Sequence, residues 1–198
     1  MKLIKLKIKN FRCYKDEVEI KIDDLTTIIG KNDIGKSTIL EALEIFFNND
    51  LVKIDPSDAN VYSTDKKVVI TCEFEDLPDK IVLDSSSETT LKDDYLLTKD
   101  GTLRITKEFD CGKSSVPVEV FITANHPTAA GFDNLLELKE KDLQELIDKH
   151  RAGTVKKGNP KMRELIWKSC SDLQVKEVPL ALNKSKEDGK RIWEQIES

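Results

Sequence analysis

GKNDIGKST, Gly30 to Thr38, decides how this 198-residue sequence is read. A glycine, four residues and then Gly35-Lys36-Ser37 is the spacing that wraps a backbone loop around the phosphates of a nucleotide. Gly30 and Gly35 reach backbone angles that a Cβ forbids, so that successive N–H groups across Asn32, Asp33 and Ile34 turn inward on phosphate oxygens. Lys36 brings a full positive charge to the β and γ phosphates and is the catalytic candidate. Ser37 offers a hydroxyl to Mg²⁺, and the helix that begins through Thr38 points its positive end at the anion.

The flanks fit that reading. Before the loop, LTTII (Leu25 to Ile29) is short, apolar and β-branched, which predicts a buried strand. After it, Ile39, Leu40, Ala42, Leu43, Phe46 and Phe47 recur at helical spacing, on a helix expected to end near Asn48-Asn49.

Composition sets the bounds. The length suits one domain or one and a half, with enough apolar residues for a core. A net charge of −5 and a pI near 5.3 argue against a generic nucleic-acid coat, and the acidic excess falls within residues 51–138, as on a solvated surface. Cys13, Cys72, Cys111 and Cys170 lie far apart with no metal-ligand spacing, which predicts reduced thiols in a cytoplasmic protein. The opening MKLIKLKIKNF lacks the continuous apolar core of a signal peptide, and no apolar run approaches membrane-spanning length, so no membrane partner is expected.

Along the chain, Ile4, Leu6 and Ile8 alternate with lysines, and Val18, Ile20 and Ile22 with Glu19 and Lys21; both stretches predict strands with one buried face. Asp55 to Asp65 reads as a linker or surface loop. KVVITCEFE (Lys67 to Glu75) is a strong strand, Ile81 to Leu83 is too short to assign, and residues 84–94 read as an exposed excursion. Tyr95 to Thr98 and Leu103 to Phe109 flank Lys99-Asp100-Gly101-Thr102, a hairpin signal, and Val116 to Thr123 predicts another strand. Helices are expected from about Lys139 to near Gly153, around Lys161 to Ser171, and from about Lys184 to the end.

Asn10-Phe11-Arg12 between two strands, then a third strand and GKNDIGKSTILEAL, resembles the N-terminal lobe of an ABC-type ATPase head of the RecF/SMC group. The NDIGKS wording and the CEFEDLP strand are most similar to the OLD (overcoming lysogenization defect) family. The motif-bearing match covers about residues 1–47, and residues 67–123 fit the antiparallel subdomain of such lobes by pattern. The resemblance implies an α/β fold: a P-loop NTPase half-lobe with an antiparallel β subdomain and a C-terminal helical segment. It divides the chain into an ATP-binding lobe, 1–132, and a helical segment, 133–198. It also implies ATP and Mg²⁺ as cofactors, a second head as dimer partner, and work on DNA in repair or phage defence. Arg12 matches the arginine that in such heads can reach the nucleotide phosphates; on chemistry alone it is a cation at a strand end, with a surface or core-edge role also open. Tyr14 could stack near an adenine or pack.

Heads of this class also need a Leu-Ser-Gly-Gly-type signature, an acidic strand end and a switch histidine. The sequence has no Gly-Gly pair, and Ile81-Val82-Leu83-Asp84 is only an imitation of the acidic strand end. The family pattern places these parts beyond Ser198, so the chain is expected to be an amino-terminal piece that binds nucleotide with little turnover. Two other readings stand beside this one. A small GTPase would draw on LALNKSKED (Leu180 to Asp188), but Lys186 stands where an aspartate would read guanine. A DNA-binding module would draw on the basic stretch 149–168, with Lys149, Arg151, Lys156, Lys157, Lys161, Arg163 and Lys168 meeting a phosphate backbone.

Overall fold

The computed structural model describes residues 1–31, 35–47, 51–84, 87–150, 152–153 and 158–181. The elements run β1 (Lys2–Lys9), β2 (Val18–Lys21), α1 (Lys36–Phe46), β3 (Lys67–Glu75), β4 (Ile81–Asp84), β5 (Ser87–Thr89), β6 (Leu103–Asp110), β7 (Val118–Pro127), α2 (Glu140–His150), α3 (Asn159–Ser169) and β8 (Val175–Ala181). Six strands form one sheet in the order β2-β1-β3-β6-β7-β8, and β4 and β5 form a separate antiparallel ribbon. β1 is antiparallel to both its neighbours, with Leu6 opposite Ile20 on β2 and Cys72 on β3. The architecture is thus mixed α/β with an antiparallel component, as the fold class required. The chain divides into two compact units, residues 1–76 with 104–121, and residues 77–103 with 122–198.

In the first unit, period-two patterning turns Leu6 and Ile8 of β1 inward with Val68, Ile70, Cys72 and Phe74 of β3. Against them α1 buries Thr38, Ile39, Ala42, Ile45 and Phe46, a stripe at helical spacing. Phe46 and Phe47 both pack on Phe74, with ring centroids 6.3 and 6.2 Å away, so three aromatic rings fasten the helix to the strand. The sheet also holds a buried carboxylate. Glu73 on β3 receives Lys5 from β1 at 3.4 Å and Arg104 from β6 at 3.2 Å, which compensates the charge the sheet encloses.

The second unit is built on α2 and α3. Glu140 and Asp142 in the first turn of α2 and Lys149 and His150 in its last complement the helix dipole. Leu143 and Ile147, one turn apart, meet Met162, Ile166 and Trp167 of α3 and Leu135 in one apolar cluster. The Trp167 indole donates to the Phe132 carbonyl at 2.8 Å. Beneath this core sits an ion pair between residues that are each 1% exposed: Arg163 donates through Nε and Nη2 to the two Asp94 oxygens at 2.7 and 3.2 Å. The Thr89 hydroxyl donates to the same carboxylate at 2.8 Å.

Several expectations are corrected. Leu25 to Ile29 forms no strand, and Leu25 and Ile29 are 87% and 88% exposed. A strand needs a neighbour for its backbone, and no strand of the described sheet lies beside this run. Within the stretch read as an exposed excursion, Thr89, Leu91 and Asp94 are buried, because the Arg163 guanidinium draws the polar chain inward. Asp55 to Asp65 is no idle loop. Its 3₁₀ turn, Pro56–Asp58, is closed by a capping box between Asp55 and Asp58, and Asp58, Ala59 and Asn60 are buried. The turn at Lys99-Asp100-Gly101-Thr102 is present, with Gly101 at φ +79 and Thr98 and Thr102 bonded across it, but Tyr95 to Thr98 is not a strand. β7 continues through Asn125-His126-Pro127. The strand β8 was not foreseen because Pro179 reads as a breaker; at the edge of a sheet its missing N–H costs no ladder bond. The helix expected from Lys184, and Arg151, Lys156 and Lys157, lie outside the described residues.

Asp94→Ala leaves the Arg163 charge buried without its carboxylate, and urea unfolding is expected to show a loss of about 3–5 kcal/mol, largely recovered when Arg163→Met is added. His126 is 1% exposed, its Nδ1 3.0 Å from the Tyr95 carbonyl, and burial pushes its pKa below the ordinary value despite the opposing pull of that carbonyl and of Asp94. In the unfolded chain the ring takes up a proton near its ordinary value of about 6.5, whereas the folded chain resists until lower pH. Stability from this residue is therefore full above about pH 6.5 and declines as pH falls below it; thermal unfolding should show that slope between about pH 6.5 and 5, reduced in His126→Gln.

Candidate functional site

The candidate site is built where the chain turns into α1. Gly35, the residue before the helix, sits at φ +97 and ψ 14, the left-handed region. An added Cβ there would fall 2.5 Å from the Cys13 sulfur and 3.0 Å from the Tyr14 hydroxyl oxygen, so the position is closed to any side chain on two independent grounds. Tyr14 also donates its hydroxyl to the Gly35 carbonyl at 3.2 Å. Burial, with the nearby Cys13 thiol, raises the tyrosine pKa and keeps it a neutral donor.

The start of α1 is bare. No side chain caps it, and no acidic residue lies in its first turn. The first N–H groups of a helix have no intrahelical acceptor, so a helix opening without a cap offers donors and a positive dipole end to an anion. Lys36 stands at that opening with its ammonium folded back on the loop, donating to the Gly30 carbonyl at 2.6 Å and the Lys31 carbonyl at 2.5 Å. The Ser37 side chain is exposed, its hydroxyl without a hydrogen-bond partner among the described residues, and Thr38 is buried under the helix. Gly30, Lys36, Ser37 and Gly35 are thus brought together, while Asn32, Asp33 and Ile34 lie outside the described residues.

Arg12 is tied elsewhere. Asn10 and Arg12 take left-handed angles, φ 56 and 49, in a tight turn closed by mutual backbone bonds between Phe11 and Tyr14. Asn10 donates its amide to the carbonyls of Asp65 and Lys67 at 2.8 and 2.9 Å, and Phe11 is fully buried. The Arg12 guanidinium lies over the Phe11 ring at 4.9 Å, donates through Nε to Asp58 at 2.7 Å, and pairs through Nη1 with Glu41 on α1. Burial opposes its charge, but the bonds from Asp58 and Glu41 outweigh that and raise its pKa. In this arrangement Arg12 joins the capped turn at 55–58 to α1. Sequence reading missed Asp58 and Glu41, and the packing of Cys13 and Tyr14 against Gly35; only the position of Glu41 one turn past Ser37 could have hinted at the first.

The residues fit a triphosphate with its magnesium in three respects: a glycine turn that excludes side chains, an uncapped helix start, and an ammonium and a hydroxyl beside it. Among the described residues no group of histidine, cysteine and acidic side chains could hold a metal by itself. Nor is any described helix long and apolar enough to cross a membrane. The basic stretch 149–168 is weakened as a phosphate-binding face, because Arg163 is buried on Asp94 and Lys168 pairs with Glu164.

The chain is similar to several known proteins. The chain is 38% identical over 72 residues to endonuclease GajA of Bacillus cereus (strain VD045), a match covering 35% of this chain and 12% of that protein. It is 32% identical over 77 residues to the OLD nuclease of Thermus scotoductus (strain ATCC 700910 / SA-01), covering 37% of this chain and 14% of that one. The chain thus matches only a small part of the length of these relatives. A solved structure concerning ATP-driven dimerization and DNA-stimulated activation of SMC ATPases superposes with a TM-score of 0.45 at 13% identity, over 75% of this chain and 98% of that one. The family described as AAA ATPase domain matches residues 1–198. Spanned from end to end by that family, and related through part of its length to OLD-type nucleases as its opening residues implied, the chain belongs to the AAA ATPase domain family.

Proposed function

We propose that this chain binds Mg-ATP at Gly30–Thr38, as the N-terminal nucleotide-binding part of an OLD/RecF/SMC-like ATPase whose heads associate on the bound nucleotide. The observation that supports this most is the uncapped start of α1 behind a glycine that admits no side chain, with the Lys36 ammonium beside it. Backbone N–H groups and the helix dipole would bind the phosphates, and Lys36 would exchange two neutral carbonyls for charged phosphate oxygens, a stronger hydrogen bond. Ser37 would hold Mg²⁺, which neutralises charge on the β and γ phosphates when bound. Asn32, Asp33, Ile34 and Thr38 complete the proposed set, and Arg12 joins it only by giving up Asp58 or Glu41.

Hydrolysis needs a positioned water and further charge stabilisation, and a phosphate cradle supplies neither. The exposed Leu25 and Ile29 side chains before the loop support the idea that a second lobe carrying those groups would cover them. Work on DNA, in repair or phage defence, is the setting that the resemblance to the OLD and RecF/SMC group implies, and the relatives' names, both of nucleases, are compatible with it.

Calorimetry with the 198-residue chain is expected to show saturable Mg-ATP binding, weakened about 10–100-fold in Lys36→Ala, and phosphate release near the uncatalysed background. Unchanged heat in Lys36→Ala/Ser37→Ala, or vigorous turnover by this chain alone, would overturn the reading. Gly35→Ala is expected to lower stability to urea by about 1–3 kcal/mol and to abolish the ATP heat; adding Cys13→Ala removes the clash with sulfur but not the left-handed strain, so recovery should be partial.

A further inference from the structure

The second unit carries a half-open cavity of about 680 Å³, a volume typical of small-ligand sites, and it shares no residue with the Gly30–Thr38 loop. Tyr95 and Trp167 line it and meet edge to face with centroids 5.0 Å apart. Trp167 is buried, while Tyr95 is only partly buried against the same apolar cluster and lines the cavity with the part of its surface that remains. Tyr95 also sits at φ +53, a conformation that bulky residues rarely take and that persists only where surrounding bonds over-determine it. Those bonds are present: its N–H donates to the Lys92 carbonyl at 3.1 Å, and its own carbonyl lies 3.0 Å from the His126 ring.

Two further chemistries share the walls. Asn125 lines the cavity with its backbone N–H fixed on the Leu97 carbonyl at 2.8 Å and its side-chain amide without a partner among the described residues. A free amide offers a donor and an acceptor side by side, the pattern that reads the edge of a base. Lys92, Lys99 and Lys168 bring ammonium groups, against Asp93 and Glu164. Lys168 is neutralised by Glu164, whereas Lys92 and Lys99 have no ion pair among the described residues and leave the cavity positive. Flat aromatic surface, a hydrogen-bonding edge and an anionic group are what such walls complement. A purely apolar ligand would leave the amide and both ammoniums unused.

We propose that this cavity is a second nucleotide site, taking a phosphorylated nucleoside with its base against Tyr95, its edge on Asn125 and its phosphate on Lys92 and Lys99. The same chemistry is carried by a free mononucleotide and by the 5′ end of a single strand. In a Trp193→Phe/Lys36→Ala background Trp167 is the remaining tryptophan and the phosphate loop is disabled, so Trp167 fluorescence reports this cavity alone. AMP and a 5′-phosphorylated oligodeoxyadenylate are the probes, without magnesium. A saturable change is expected with one or both: AMP alone assigns the free nucleotide, the oligonucleotide alone the strand end, and both a site that tolerates either. Affinity should fall about tenfold in Lys92→Ala/Lys99→Ala, exposed positions whose loss leaves the melting temperature unchanged. Ribose 5-phosphate, which lacks the base, should bind at least about tenfold more weakly than AMP. No saturable change with either probe at millimolar concentration overturns the proposal. So does an affinity indifferent to the two lysines, or ribose 5-phosphate binding as tightly as AMP.

Discussion

Everything at the amino-terminal site depends on one backbone conformation. Gly35 turns the chain through the left-handed region and delivers it directly into α1, with Cys13 and Tyr14 pressed against the place where a side chain would stand. Because the turn ends where the helix begins, the first N–H groups of α1 lie at its mouth, and Lys36 is carried there as the first helical residue. The other end of α1 is fixed by Phe46 and Phe47 on Phe74, so the orientation of these donors is inherited from the sheet.

The turn at Asn10-Phe11-Arg12 serves the same end. Asn10 holds the residues that lead into β3, Phe11 anchors in the core, and Arg12 links the capped turn at Asp58 to Glu41 on the helix. Cys13 and Tyr14 follow at once and reach Gly35. Five consecutive residues therefore connect strand, capped turn and the glycine turn before α1, a framework of the sort that holds a binding site to its geometry.

What could be read in advance was local. The stripe Ile39, Ala42 and Phe46 and the alternation in β1 and β2 each depend on a few neighbouring residues, and each is present in the structure. What escaped was set by partners far along the chain. Asp94 and Arg163 are 69 residues apart, so nothing in the polar run around Asp94 announces that it is enclosed. Arg12 meets Asp58 across 46 residues and Glu41 across 29, which turned an apparent free cation into a tie. The apolar, β-branched character of Leu25 to Ile29 states a preference for burial but not whether a neighbour exists. Pro179 misled in the opposite sense, since its penalty in a strand vanishes at a sheet edge.

The bare run from Leu25 to Ile29 has a practical side. An uncharged, β-branched segment whose backbone pairs with no strand among the described residues is a template on which a like segment of another molecule can pair, the step that begins edge-to-edge aggregation. Asp23 and Asp24 on one side and Lys31 on the other place charges at its borders, as gatekeeper residues do, and so limit how far such pairing can spread.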